Sequence, residues 1–227
     1  MKKYVAILLC GIMLVPGCSS WSKLATGTAV GGGAGAALGA AVGALIGKDG
    51  KSAAIGAAIG TAVGAGTGAV IGKKMDKKAA ELAALENAKI EQITDVNGLP
   101  AIKVTFDSGI LFPTNGTTLS AASKTQLTTF ASKMADLPDT DFAIIGHTDN
   151  TGSAAVNERI SLQRADAVFR YLKGCGIADT RMTAQGASFN LPVADNSTEA
   201  GRAQNRRVEV YVYANEAMVK AAEQGKL

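Results

Sequence analysis

Glycines fall at positions 27, 31, 35, 39, 43 and 47, and again at 56, 60, 64, 68 and 72, every step within each run being four residues. A flexible linker has no reason to keep a period. A helix does, because residues i and i+4 lie on one face. Repeated small residues at that spacing give each helix a flat groove where another backbone can approach closely. Glycine costs ~1 kcal/mol per residue in an aqueous helix, so the pattern needs packing or lipid around it. Residues 28–47 and 52–72 are uncharged, and each is about long enough to cross a hydrocarbon layer. Between them Lys48, Asp49, Gly50 and Lys51 form a polar tip. A Gly/Ala-rich helical hairpin over residues 28–72 is therefore expected, either in a bilayer or as a soluble, self-associating pair.

The residues before the hairpin set the compartment. Lys2 and Lys3 precede the apolar run YVAILLCGIMLVPG, which ends at Cys18. A short positive region followed by an apolar core too short to span describes a secretory signal. Gly17 before Cys18, with Leu14 and Val15 upstream, resembles a bacterial lipobox, from which Pro16 is a mild departure. The resemblance implies a signal peptide over 1–17, lipidation of Cys18, and a lipid-anchored linker over 18–27. Cys10 leaves with the signal, so Cys175 is the one free thiol and is read as a packed residue. The glycine pattern is similar to the two-helix zipper segment of bacterial envelope lipoproteins.

Two crossings would return the chain to its starting side, placing residue 73 onward in the periplasm. The run KKMDKK at 73–78 carries four lysines against two at the hairpin tip. That opposes the positive-inside bias expected of an inner-membrane hairpin, and Ser19 and Ser20 follow the lipidated cysteine, so the outer membrane is expected. Met75, Ala79, Leu82 and Leu85 keep helical spacing, and residues 73–94 are read as a helical stalk and linker.

Charge separates the two halves. Residues 1–94 carry 10 Lys and Arg against 5 Asp and Glu, whereas residues 95–227 carry 13 against 14. A neutral folded domain argues against nucleic acid as a partner. One histidine and no paired cysteines leave neither a metal site nor a cofactor site in view.

The C-terminal part reads as α+β, a mixed β-sheet with two packed helices over residues 95–215, followed by a tail over 216–227. KIEQITDVNGLPAIKVTF holds two β-like runs around Asn97-Gly98, a hairpin signal. Residues 110–112 (ILF) are expected as a further short strand. Residues 120–136 show Leu127, Phe130, Ala131 and Met134 on one helical face, with Ser120 as cap. Residues 141–145 are a buried strand. ISLQRADAVFRYLKGCG is a helix that Ser161 would cap and Gly174 would stop. RMTAQG is a brief strand, and Val208, Val210 and Val212 alternate along another.

Chemistry concentrates at residues 146–168, GHTDNTGSAAVNERISLQRADAV. Asp149 follows a strand end and heads an Asp-Asn-Thr-Gly turn, which a bland turn would also explain. With Ser161 as cap, Arg164 falls in the first helical turn, where the helix dipole prefers anions. An arginine there makes sense if a carboxylate docks beside it. Asp149 with Arg164 would suit a zwitterion, while a solvated surface pair stays open.

FPTNGTTL, GHTDNTG, NERISLQRAD and GRAQNRRVEV occur in this order over residues 112–210. Together they resemble the OmpA-like domain, and the whole architecture is similar to the YiaD lipoprotein group. The resemblance implies non-covalent binding of peptidoglycan through diaminopimelate of uncrosslinked peptide stems, without turnover. It implies that Asp149 takes the ammonium and Arg164 the carboxylate of the D-centre, with Asn115, Thr151, Asn157 and Arg206 completing the pocket. Asn115 and Asn157 fit a turn and a cap equally well, Arg206 could exchange roles with Arg207, and His147 is read as packing.

Two other function classes stay in view. A cell-wall hydrolase would need more than one histidine or a nucleophile elbow, and neither is present. An oligomeric membrane pore or assembly component built from the glycine hairpin is compatible with wall binding. Neither apolar segment contains the acidic residue that an ion-driven stator would need.

Overall fold

A computed structural model describes residues 65–95, 98–107, 111–112 and 116–227. The signal, Cys18 and most of the glycine hairpin, residues 28–64, lie outside the described residues.

Five strands form one sheet in the order β1-β2-β5-β3-β4: β1 Ala88–Thr94, β2 Pro100–Asp107, β3 Thr140–Gly146, β4 Met182–Gly186 and β5 Arg207–Ala214. Neighbours are antiparallel except β3 and β4, which run parallel. A parallel pair needs a crossover, and the long helix α3, Ala154–Gly174, supplies it. The other helices are α1 Ala65–Leu82, α2 Ala121–Met134, α4 Glu199–Asn205 and α5 Glu216–Glu223.

One core holds the layers together. Ile102, Val104 and Phe106 of β2, Phe142 and Ile144 of β3, and Val208, Val210 and Val212 of β5 point to one face of the sheet. Leu127 and Phe130 of α2, Val168 and Leu172 of α3, and Met218 of α5 pack with them. Phe130 meets Phe106 and Phe142 edge-on, with ring centroids 6.2 and 6.1 Å away. The strict alternation of β5 therefore has the expected consequence. Ser120 caps α2 as its position suggests, accepting the backbone N–H of Ser123.

Three expectations change. Leu111 is helical, buried, and accepts hydrogen bonds from the Ser120 backbone and the Ser123 hydroxyl. The ILF segment is thus no strand at its described positions, Ile110 lying outside them. Helix α3 ends at Gly174, but the left-handed residue that terminates it is Gly176, at φ +96°. The folded body is also larger than 95–215. Strand β1 precedes residue 95, and α5 buries Met218, Val219 and Ala222 from the segment read as a tail.

The segment read as a stalk is part of the core. Helix α1 packs on β1, β2, α2 and α5, burying Ile71, Met75, Ala79 and Leu82. The last period-four glycine, Gly72, sits where a β-carbon would lie 3.3 Å from the Pro100 ring. The lysine run is split by this packing. Lys78 is 3% exposed and donates to the Asp136 carboxylate at 2.6 Å and to the Lys133 carbonyl at 2.7 Å. Lys73, Lys74 and Lys77 stay exposed on the opposite side. Among the described residues no helix is long and apolar enough to cross a membrane.

The sheet has two distinct ends. Pro100, paired with Thr94, receives α1 at one end, where Thr140 faces Ala214. At the other end Phe106, Val208, Gly146 and Gly186 stand in one row.

Candidate functional site

The second end of the sheet carries the candidate site. Strand β3 stops at Gly146, and α3 crosses so closely that a β-carbon on Gly146 would stand 2.0 Å from the Ser161 carbonyl oxygen. A β-carbon on Gly186 would stand 2.5 Å from the Ser161 hydroxyl oxygen. Only glycine permits this approach. The Ser161 hydroxyl donates to the Glu158 carbonyl and accepts from the Ser188 backbone N–H, locking the helix to the loop after β4.

This contact corrects the helix start. The N-cap of α3 is Ser153, which accepts from the Val156 N–H, and Ser161 lies two turns inside the helix. Arg164 is therefore in mid-helix, not in the first turn, and the dipole has no part in its role. Burial takes the dipole's place. Arg164 is 5% exposed, donates through Nε to the Gly116 carbonyl at 3.2 Å, and lies over the Phe112 ring at 5.4 Å. Among the described residues no carboxylate pairs with it. Burial first, and then the charge of Arg206, push the Arg164 pKa down, while Asp149 partly offsets them. The guanidinium remains a cation, desolvated and short of an anion.

Asp149 stands in the loop between β3 and α3. One carboxylate oxygen accepts the Thr151 N–H at 2.8 Å, an Asx-type turn, and the other accepts from Arg206 Nη1 at 2.7 Å. Burial opposes the charged form, but the Arg206 hydrogen bond and those from Thr151 hold the carboxyl below its usual range. Asn157 is buried in the first turn of α3 and donates to the Thr151 carbonyl at 2.9 Å, so it braces the loop. Thr151 is exposed at the rim. The site thus brings together Asp149, Thr151, Asn157, Arg164 and Arg206, while Asn115 lies outside the described residues.

Strand parity separates the two arginines. Arg206, the C-cap of α4, reaches Asp149 and, at 3.0 Å, Glu199. Its hydrogen bond to Asp149 raises its pKa. Arg207 turns to the other face of the sheet and donates to Glu209 at 2.8 Å. There His147 Nε2 lies 3.2 Å from Glu209, and Tyr211 donates its hydroxyl to the same carboxylate at 2.6 Å. Burial works against the Glu209 charge, but the bonds from His147 and Tyr211 and the Arg207 charge keep it well below the usual carboxylate range. His147 is packed, 1% exposed, with Nδ1 unpartnered. Among the described residues no three His, Cys, Asp or Glu side chains stand close enough to hold a metal.

Sequence reading missed Glu199, Phe112 and the Gly116 carbonyl. Glu199 looks like an ordinary acidic residue in a first helical turn, and a backbone carbonyl has no sequence signal.

Residues 111–206 match the OmpA family, and residues 1–76 match the YMGG-like Gly-zipper. The chain is 40% identical over 103 residues to the probable lipoprotein YiaD of Escherichia coli, covering 45% of this chain and 47% of that one. It is 39% identical over 112 residues to the peptidoglycan-binding protein ArfA of Mycobacterium tuberculosis, covering 49% of this chain and 34% of that one. The solved cell wall anchor of the T6SS from Pseudomonas aeruginosa is similar, with a TM-score of 0.53 at 26% identity. That match covers 62% of this chain and 97% of the anchor. The chain thus spans about half of YiaD and a third of ArfA.

Proposed function

The chain carries an OmpA-family domain behind a YMGG-like glycine zipper, and from that premise we propose that it tethers a membrane to peptidoglycan without covalent chemistry. Peptidoglycan-binding proteins of this family are not enzymes. One observation carries the reading. A buried arginine without a protein carboxylate, Arg164, stands in the same electrostatic neighbourhood as an ionised, hydrogen-bonded carboxylate, Asp149. A ligand with a free ammonium and a free carboxylate on one carbon satisfies both. The D-centre of diaminopimelate in an uncrosslinked stem has those groups. The likeness to a protein named for peptidoglycan binding and to a cell wall anchor supports the wall as the partner.

In this reading Cys18 carries lipid, the glycine-rich hairpin lies in the membrane, and the domain faces the periplasm at the outer membrane. Asn115, Thr151, Asn157 and Arg206 complete the pocket, Asn157 and Arg206 by holding Asp149 and its loop. The test is co-sedimentation with purified sacculi, with and without free diaminopimelate as competitor. A ligand charge left unpaired in a buried pair costs on the order of 2–5 kcal/mol. Asp149→Ala and Arg164→Ala should each weaken binding at least tenfold, while Arg170→Ala, on the exposed side of α3, should bind normally. Undiminished binding by Asp149→Ala, with circular dichroism unchanged, removes the site.

A further inference from the structure

We propose that Lys73, Lys74 and Lys77 form a collar that docks on the anionic phosphate headgroups of the membrane, seating the domain directly on the bilayer with its ligand site turned away. The proposal rests on the membrane reading of the glycine hairpin and adds where the domain stands and what holds it there.

The first observation is the division of α1 into two faces. Ile71, Met75, Lys78, Ala79 and Leu82 point into the domain and are buried. At helical spacing the rest of the helix surface presents Val70, Lys73, Lys74, Asp76 and Lys77, all exposed, with Val70 40% accessible, so the three lysines outnumber one carboxylate and leave a net charge of +2. Among the four lysines of the run, only Lys78 has turned inward to Asp136. The three that remain outside carry no salt bridge among the described residues.

The second observation is spacing. The uncharged stretch ends at Gly72, and the three lysines rise about 1.5, 3 and 7.5 Å beyond it along the helix. A headgroup layer is roughly 5–7 Å deep on each side of the hydrocarbon. Their ammonium groups fall within that layer, on side chains long enough to reach phosphate from either side of it.

The third observation is the direction of the domain. Gly72 touches Pro100, at the end of the sheet where Thr94 pairs with Pro100 and Thr140 with Ala214. Asp149 and Arg206 sit at the other end, beyond Gly146 and Val208. Six residues of β5 separate the two rows, about 20 Å at strand spacing. The carboxylates of Asp139 and Asp141 also lie at the membrane end, next to Thr140, and would be repelled by anionic lipid. Arg181 stands there too, but its guanidinium is spent on the Thr140 and Leu137 carbonyls, so the attraction is assigned to the exposed α1 lysines, each about fivefold in affinity near such a surface.

The full chain, reconstituted into vesicles on a Cys175→Ser background, tests this. A bimane label at Thr94→Cys reports the membrane end, and one at Ala155→Cys reports the site end. A nitroxide on lipid headgroups quenches whichever label is near. In vesicles containing phosphatidylglycerol, the label at position 94 should quench at least about twofold more than the label at 155, given the separation of the two rows. Lys73→Gln, Lys74→Gln and Lys77→Gln together should remove that excess, as should phosphatidylcholine alone for the parent. Equal quenching at the two positions, or quenching at 94 that survives the triple substitution, overturns the collar. Flotation separates the two readings. A protein that floats with vesicles and binds sacculi but shows no excess at 94 loses the collar alone. A protein that fails to float loses the membrane reading and the collar together.

Discussion

The carbonyl oxygen of Ser161 occupies the space that a side chain on Gly146 would need, 2.0 Å from the position of its β-carbon. The helix carrying Arg164 and the strand leading to Asp149 are thereby pressed together where both enter the site. Gly146→Ala must push backbone from backbone. Overpacking of this kind costs about 3 kcal/mol, read as a lower urea midpoint at unchanged slope. Sacculus binding should fall as well, because the loop from His147 to Ser153 shifts relative to Arg164. An unchanged midpoint would mean that the contact relaxes freely.

Helix α1 belongs to the fold, so the place where the chain is cut matters. A chain beginning at residue 65 keeps Ile71, Met75, Ala79 and Leu82 in the core. One beginning at residue 95 loses these and β1 together. Burial of large side chains is worth about 1.5–3 kcal/mol each, and whole domains are stable by only about 5–15 kcal/mol. The longer piece should unfold cooperatively in urea and the shorter one should show no cooperative transition. A cooperative transition in the shorter piece would reduce α1 to an accessory.

Asp149 is ionised below its ordinary range against the pull of burial, mainly through Arg206. A carboxylate whose folded pKa is lowered contributes stability above its unfolded value, and that contribution disappears as pH falls through the folded value. Arg206→Gln removes the main cause of the lowering. The acid unfolding midpoint should move to higher pH, and binding to sacculi at neutral pH should weaken by about tenfold, ~1.4 kcal/mol. An acid transition identical to that of the parent would show that Thr151 alone sustains the charge.

His147 works in the same direction. Its pKa lies below the ordinary 6.5, first through burial and also through Arg207 and Lys103, with the Glu209 hydrogen bond opposing them. The unfolded chain takes up a proton near pH 6.5 that the folded one refuses. Stability is therefore full above pH 6.5 and falls as pH drops below it, by up to about 1.4 kcal/mol per pH unit. His147→Gln keeps a donor toward Glu209 and should flatten this slope between pH 6.5 and 5. An unaltered slope in the variant would assign it to other groups.

What could be read from the sequence depended on whether the signal was local. Ser120 reads as a cap and Val208, Val210 and Val212 as one face, because capping and alternation need only neighbours in the chain. Ser161 misled for the same reason. Followed by Leu162, Gln163 and Arg164 it looks like a helix start, yet its hydroxyl is used by Glu158 and by Ser188, 27 residues away. Asp149 is marked by its turn, but Arg206 is legible only through motif resemblance, and nothing in either stretch indicates that the two meet. Lys78 is the plainest limit. Inside a run of lysines it has the appearance of a solvated charge, and only the end of α2 gives it a reason to be buried.

Chain entry and candidate site stand at opposite ends of the same strands, and for the proposed tether that arrangement has a mechanical meaning. A pull between membrane and wall would run nearly along β2, β3 and β5. The hydrogen bonds between those strands would then be strained side by side, sharing the load, instead of being opened one after another from an edge. The core face of α1 would be drawn lengthwise over β2, where Ile71, Met75 and Leu82 resist together. A fold oriented this way resists stretching in the one direction in which a tether is pulled, and yields more readily to a force applied across the sheet.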